Sequence, residues 1–306
     1  MRICSLLPSA TEIVCALGLE DSLVGVSHEC DYPASVRRKP TLIRSRVDPS
    51  SPAAVIDSRV RELLARGESI YSVDRELLLG LAPDLIITQD LCHVCATSPD
   101  DLATTLAPQP SPPSVLTLSA DSLREVWNDI RAVGDATGYR PRADKLVNDL
   151  EARVARVARI CANAAKKQRV VCLEWLSPLY CAGHWVPEMV ALAGGEDMLG
   201  RPGQPSYRVS WEQVLHARPD TVLVMPCGYD VEKAAREFAE LPLPDGWADL
   251  PAVRNGSVFA VDANGHFSRP GPRLVAGLEM IAELFWPGKG ISPAALGHAE
   301  LIRSLV

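Results

Sequence analysis

The sequence predicts an α/β protein of two lobes, each with a parallel sheet, joined by one long rigid helix, with a ligand cleft between them. Three observations predict this class. Short apolar runs alternate with helical segments, the second half repeats the first, and an uninterrupted helical pattern separates the halves. The 306 residues are enough for two domains. The predicted boundaries are 1–120 for the N-terminal lobe, 121–167 for the closing and bridging helices, and 168–306 for the C-terminal lobe.

The first half begins with a strand, a loop and a helix. Residues 2–7 (RICSLL) form a short apolar run, and Ser9 and Glu12 stand three apart, as in a capping box at a helix start. Later segments continue the alternation: a strand in 24–33, a helix that ends near Ala82-Pro83, and strands at Leu85 to Thr88 and at 114–119. A further helix is expected to be capped at Gly138.

The second half repeats the first in the same order. EIVCALGLEDSLVG from Glu12 corresponds to EMVALAGGEDMLG from Glu188, and LAPDLIIT corresponds to ARPDTVLV through Pro83 and Pro219. The repeat therefore predicts two related α/β lobes with Rossmann-like sheets.

The helix between the halves is predicted from residues 141–167. Pro141 suits the first turn of a helix, and apolar residues recur at helical spacing with no Gly or Pro up to Lys167. At about 1.5 Å per residue this helix is expected to span about 39 Å.

Composition limits the function and the location. A net charge of −7 without a basic block argues against nucleic-acid binding, and no run is long enough to span a membrane. The first 21 residues lack the basic and apolar regions of a leader, and nine cysteines are an odd, scattered set. We therefore expect a cytoplasmic location, or a periplasmic or cell-surface one if a leader has been removed.

Candidate ligand-binding residues follow the strands. In open parallel sheets, ligands bind at the carboxyl ends of the strands, and pockets are common between domains. The candidates are Pro8, Ser9, Glu29, Tyr32, Asp90, Cys92, Cys95, Glu174, Trp175, His184, Trp185, Cys227, Phe267 and Arg269.

Six motifs carry a family resemblance across most of the chain: SLLPSATEIVCALGL, VGVSHECDYP, LAPDLIIT, AGHWVPEMVALAGGEDML, SWEQVLHARPDTVLV and SRPGPRLVAGLEMI. With them the chain resembles the class III, helix-bridged substrate-binding proteins of ABC importers, which include proteins for cobalamin, iron siderophores and haem. PSATE, CDYP and SRPGPR are most similar to the cobalamin branch.

The resemblance implies a corrinoid as ligand, with no other cofactor required. Pro8, Tyr32, the loop from Trp175 to Tyr180, and Phe267 would then pack against the corrin ring. It also implies that an ABC permease docks through an acidic residue on each lobe. Asp100 or Asp101 is the candidate in the first lobe, whereas the second lobe has Ser268 before Arg269.

The sequence CHVC at 92–95 leaves three interpretations open. The two cysteines are small packing residues, a redox pair after a strand, or contacts to a ligand or metal. Cys227 from the other lobe would complete a soft-metal site. The metal-ligating candidates are Cys92, His93, Cys95, His184 and Cys227, and either histidine is also a candidate ligand of a corrinoid cobalt.

Two functions therefore compete. A non-catalytic protein that binds a corrinoid, or a similar large metal chelate, is favoured. The alternative is an intracellular thiol- or metal-dependent enzyme or metal handler on the same fold, using the cleft cysteines.

Overall fold

The computed structural model describes residues 1–90, 112–162, 166–291 and 297–302. The chain divides into two compact units. Unit 1 consists of Met1–Ser51, Val55–Ala120 and Arg124–Asp149, and unit 2 of Pro52–Ala54, Asp121–Leu123 and Leu150–Val306. No helix in the described ranges combines the length and the apolar character needed to cross a membrane.

Unit 1 is built on a six-stranded sheet in the order β4-β3-β2-β1-β5-β6. Neighbouring strands are parallel except β4, which pairs antiparallel with β3 at the edge. The central strands are buried because helices and loops cover the sheet. The strands are β1 (Ile3–Ser5), β2 (Leu23–Ser27), β3 (Thr41–Ser45), β4 (Tyr71–Val73), β5 (Leu85–Gln89) and β6 (Ser114–Leu118).

The first five helices in the described ranges are α1 (Pro8–Ala16), α2 (Ala53–Ala65), α3 (Arg75–Gly80), α4 (Leu123–Thr137) and α5 (Arg140–Cys161). Short 3₁₀ turns occupy Glu20–Ser22 and Ala34–Arg38. Gly138 follows α4 with φ +78°, as the predicted cap requires.

The predicted capping box at the start of α1 is wrong. The helix begins two residues earlier, with Pro8 in its first turn and Leu7 instead of Ser9 as the N-cap, and no side chain caps it. Proline is favoured here because it lacks the amide hydrogen that would otherwise need a partner. Ser9 therefore lies inside the helix, where its Oγ is buried and finds no hydrogen-bond partner among the described residues.

The long helix α5 is shorter than predicted. It ends at Cys161 rather than at Lys167, and its 22 residues span about 33 Å. Residues 140–149 belong to unit 1 and 150–161 to unit 2. The helix stops because the chain must turn into a strand that begins at Gln168, whose amide donates to the carbonyl of Gly194.

Unit 2 contains a seven-stranded sheet in the order β10-β8-β7-β11-β12-β13, with β9 also paired to β7. The pairs β7–β11, β11–β12 and β7–β9 are parallel, and the others are antiparallel. The strands are β7 (Gln168–Leu176), β8 (Leu179–Cys181), β9 (Gly195–Asp197), β10 (Tyr207–Arg208), β11 (Thr221–Val224), β12 (Val258–Val261) and β13 (Ala299–Leu301). The helices are α6 (Val186–Leu192), α7 (Trp211–Ala217), α8 (Val231–Ala239), α9 (Pro251–Arg254), α10 (Ala263–His266) and α11 (Leu274–Phe285), and a 3₁₀ turn covers Trp247–Asp249.

The sequence repeat is visible in both units. β5 and β11 each begin two residues after the aligned prolines, and each pairs parallel with the first strand of its unit. The residues before those prolines, Ala82 and Arg218, both adopt a left-handed conformation, with φ 42° and 44°. The predicted α/β class, with a partly parallel sheet in each half, is confirmed.

Candidate functional site

In unit 1, the predicted residues lie at the carboxyl ends of β1, β2 and β5. Pro8 is half-buried and Ser9 is buried at the start of α1. Glu29 is exposed, and Tyr32 is an exposed aromatic residue with 51% of its surface accessible. Asp90 is exposed directly after β5, with its amide donating to the carbonyl of Leu118. The strand ends therefore present Glu29, Tyr32 and Asp90 to solvent.

A buried polar cluster holds the loop after β2 against α1. Thr11 Oγ1 donates to Ser5 Oγ at 2.8 Å and lies 3.0 Å from Cys30 Sγ. Ser5 Oγ in turn donates to the carbonyl oxygen of Leu7. Cys30 is thus a buried packing residue whose loop carries Tyr32.

In unit 2, several predicted residues meet where β7 and β11 end. The amide of Cys227 donates to the carbonyl oxygen of Glu174 at 3.0 Å. Trp175 is half-buried, and its ring lies 5.5 Å from that of Tyr229 at an interplanar angle of 62°. This edge-to-face geometry is favourable for aromatic pairs. We call Glu174, Trp175, Cys227 and Tyr229 the strand-end group.

Tyr229 was not among the residues predicted from the sequence. It links the strand-end group to Lys233 and Asn264. Lys233 Nζ lies 3.8 Å from the centre of its ring, and burial raises the pKa of the Tyr229 hydroxyl. Its carbonyl oxygen accepts from the amide of Asn264, and Asn264 Oδ1 accepts from Arg269 Nη2 at 2.8 Å. The sequence could have indicated Tyr229 as a site residue, because it lies two residues after Cys227 and beyond an apolar strand.

Three further predicted residues are buried and contact other residues of unit 2. Trp185 and Phe267 are 4% and 3% exposed, and Trp185 Nε1 donates to the carbonyl oxygen of Phe267 at 2.7 Å. Arg269 is 7% exposed and is held by Asn264. All three lie in the interior of unit 2.

His184 lies in a strained loop before α6. Its φ is 52°, its amide donates to the carbonyl of Gln204, and its ring lies 5.6 Å from that of Trp185. Burial lowers the pKa of His184, although the charge of Asp121 acts in the opposite direction. Burial thus favours the neutral imidazole, which is the form that can coordinate a metal.

The predicted thiol site cannot be assembled from the described residues. Cys92, His93 and Cys95 lie outside them, and Cys227 is a half-buried free cysteine. The other six cysteines in the described ranges likewise form no disulfide, and burial raises the pKa of the Cys4 and Cys15 thiols to about 12. Those two thiols are therefore protonated at neutral pH and are poor nucleophiles.

Sequence comparisons identify relatives over nearly the whole chain. Residues 3–264 match the family described as periplasmic binding protein. An ABC transporter substrate-binding lipoprotein of Bacillus subtilis is 25% identical over 94% of this chain and 80% of its own length. A vitamin B12-binding protein of Vibrio cholerae is 27% identical over 92% of this chain and 87% of its own.

Solved structures give the same picture of the fold. The periplasmic heme-binding protein of Roseiflexus sp. RS-1 matches with a TM-score of 0.70 and 25% identity, covering 94% of this chain and 98% of that protein. The periplasmic vitamin B12 binding protein of Vibrio cholerae matches with a TM-score of 0.67 and 24% identity, covering 92% and 95%.

These comparisons correct the predicted location. The expectation of a cytoplasmic protein is wrong, because the relatives are periplasmic binding proteins and substrate-binding lipoproteins, which points to an extracytoplasmic location. The expectation depended on the composition of the first 21 residues and on the odd, scattered set of nine cysteines, and neither feature determines the compartment in which the fold works.

The matched family, the relatives and the two α/β units with partly parallel sheets agree with the resemblance found in the sequence. The chain belongs to the periplasmic binding protein family and is a substrate-binding protein of ABC transport.

Proposed function

We propose that this protein binds a corrinoid and delivers it to an ABC permease. The observation that carries the proposal is the similarity, over 92% of this chain, to proteins named as vitamin B12-binding. The exposed and half-buried aromatic residues at the strand ends support it. A corrin is a large, mostly apolar disc edged by amides, so that aromatic faces and a few polar groups are the appropriate contacts.

Trp175 and Tyr32 are the proposed aromatic contacts. Trp175 is half-buried against Tyr229, which fixes its ring before a ligand arrives. Tyr32 exposes half of its surface in the free protein, so that covering it with an apolar ligand is favourable. Trp185 and Phe267 are proposed to support the fold of unit 2, since their rings are already covered.

Haem is the second candidate ligand. Two structures named as periplasmic heme-binding proteins have TM-scores of 0.70 and 0.72 to this chain. Haem is also a flat metal macrocycle and would use the same aromatic contacts, so the two candidates must be separated by measurement.

Permease docking would use exposed acidic residues on each unit. The candidates Asp100 and Asp101 lie outside the described residues. In unit 2, Ser268 occupies the candidate position, and its Oγ accepts from the amide of Gly228 at 3.3 Å. Ser268 Oγ is thus engaged inside its own unit.

The proposal is tested by replacing Trp175 with alanine and measuring the affinity for cobalamin by calorimetry. Loss of a large aromatic contact is expected to weaken binding by about tenfold or more. Tyr139→Ala is the matched control, because Tyr139 is an exposed aromatic residue that precedes α5 and packs beneath Arg142. Equal affinities of the Trp175→Ala variant and the parent protein would contradict the proposed contact.

A further inference from the structure

A cluster of Asp262, His266 and His298 lies at the end of β12 in unit 2. His266 Nδ1 is 3.3 Å from Asp262 Oδ2, and His298 Nδ1 is 3.8 Å from the same oxygen. One ligand atom from each residue lies within 4.8 Å of the other two. The two imidazole rings are 4.5 Å apart, centre to centre. Two imidazoles and a carboxylate therefore lie close enough together to surround a single ion.

The fold places each of these side chains. Asp262 is the N-cap of α10 and accepts from the amide of Gly265 at 2.9 Å. His266 follows one turn later, on the same face of the helix. β12 and β13 pair antiparallel, and the amide of Asp262 donates to the carbonyl oxygen of His298 at 2.9 Å, which brings His298 beside Asp262.

His266 has a buried nitrogen with no hydrogen-bond partner among the described residues. The residue is 6% exposed, and Asp262 Oδ2 lies 3.3 Å from its Nδ1. Leaving a buried polar atom without a partner is unfavourable, and such atoms in native structures usually have a specific reason. A metal ion bound to Nδ1 would provide that reason.

We propose that Asp262, His266 and His298 bind a divalent transition-metal ion of the zinc class. Two histidines and one carboxylate are a common ligand set for Zn²⁺, and bond lengths of roughly 2.0–2.2 Å place tetrahedral ligands about 3.3 Å apart. Asp262 and His266 are already at that separation. His298, with 52% of its side chain exposed, is free to move the remaining distance. Its exposure also leaves the fourth position open to water or to another ligand.

The positive charge of Arg273 and the ligand atoms of the cluster affect which metal ion can bind there. A Cβ placed on Gly265 would lie 2.5 Å from Asp262 Oδ2 and 3.0 Å from Arg273 Nη1, so that a guanidinium lies close to the carboxylate. This positive charge opposes the binding of any divalent cation. The preference for an ion of the zinc class comes from the two imidazole nitrogens, because hard cations such as Ca²⁺ and Mg²⁺ prefer oxygen ligands.

The test is a titration of the protein with ZnCl₂ by calorimetry, together with the metal content after dialysis. The parent for all measurements is the Cys92→Ser/Cys95→Ser variant, so that this thiol pair does not bind the ion. We expect one ion per chain, and an affinity at least about tenfold lower in His298→Ala and in Asp262→Asn. His216→Ala is the control, because His216 is an exposed histidine on α7 in the same unit, and its affinity should equal that of the parent.

Folding of the variants is checked by thermal unfolding. His298 is half-exposed, so His298→Ala should melt like the parent without metal, whereas zinc should raise the midpoint of the parent and not that of the variant. Asp262→Asn tests the same claim through a second ligand. Unchanged zinc affinity in a folded His298→Ala variant, or an equal loss in His216→Ala, would overturn the proposal.

Discussion

Gly183 is a residue where two segments of unit 2 approach each other closely. A Cβ at this position would lie 2.4 Å from both the carbonyl oxygen of Gln204 and the amide nitrogen of Ser206. Both are backbone atoms, which cannot move aside as the end of a flexible side chain can. The loop that carries His184 and Trp185 therefore depends on the absence of a side chain at residue 183.

Replacing Gly183 with alanine should accordingly destabilise the protein by roughly 1–3 kcal/mol, as other overpacked sites do. The free energy of unfolding in urea is the measurement. Gly80→Ala at the end of α3 is the control, because a Cβ there meets no atom within 4 Å, and the change should be neutral or slightly stabilising. Equal effects of the two substitutions would contradict the packing argument.

Asp197 is predicted to make the stability of the protein depend on pH. Burial raises the pKa of its carboxyl group to about 6, although the amides of Gly200 and Leu199 donate to it and favour the charged form. The folded state thus binds the proton more tightly than the unfolded chain, whose pKa is 3.8. This contribution to stability is complete below pH 3.8 and is lost as the pH rises through about 6.

Asp197→Asn removes that dependence and keeps an oxygen that accepts from the same amides. The difference in unfolding free energy between the variant and the parent, measured from pH 4 to pH 8, should shift in favour of the variant as the pH rises. Asp129, whose pKa is also raised to about 6 by burial, is present in both proteins and cancels in the difference. A difference that is constant with pH would show that the Asp197 carboxyl is not shifted.

The sequence predicted where the strands end, whereas the role of the candidate residues at those ends stays a prediction. It identified the strand ends correctly, because the end of an apolar run is visible in the sequence. It did not distinguish Trp185 and Phe267, which are packed inside unit 2, from Trp175, which is half-buried beside Tyr229. That distinction depends on contacts between segments far apart in the chain, such as Trp185 Nε1 with the carbonyl of Phe267.

At the scale of elements, a two-point ion pair joins α5 to α11 within unit 2. Arg153 Nε donates to Glu279 Oε1 at 3.1 Å, and Arg153 Nη2 donates to Oε2 at 2.8 Å. The Glu279 side chain is 8% exposed, whereas that of Arg153 is 42% exposed. The main effect of the pair is therefore to give the buried carboxylate of Glu279 a partner.

Arg153→Ala is expected to cost roughly 1–3 kcal/mol of stability, because Glu279 would remain buried and uncompensated. Lys145→Ala on the same helix is the control, since its pair with Asp149 is exposed on both sides and should contribute about 0.5 kcal/mol or less. Urea unfolding of both variants is the measurement. A cost no larger for Arg153→Ala than for Lys145→Ala would contradict this account of the α5 to α11 contact.

The positions of strands and helices were predictable where residues nearby in the sequence determine them. The strands after Pro83 and Pro219 follow from apolar runs and a preceding helix break, and both appear where expected. The ends of α5 and the cap of α1 were predicted wrongly, because they are set by where the chain must turn into β7 and by Pro8 rather than by the propensities of neighbouring residues.

At the scale of the whole molecule, the internal repeat was the most informative feature of the sequence. It predicted two related α/β units, and the matching left-handed residues Ala82 and Arg218 show how closely the two halves correspond. Location was not predictable in the same way, since nothing in a folded α/β unit depends on the compartment in which it works. The cluster of Asp262, His266 and His298 was also not predictable from the sequence, because the pairing of β12 with β13 brings together residues more than thirty positions apart.

The central claim is that this substrate-binding protein binds a corrinoid. The most direct test is to titrate the purified, metal-free protein with cyanocobalamin, aquocobalamin, dicyanocobinamide and hemin, by calorimetry and by the visible spectrum of each ligand. We predict saturable binding of a corrinoid at about one per chain, tighter than that of hemin. Binding of hemin without binding of any corrinoid, or no binding of either class, would contradict the claim.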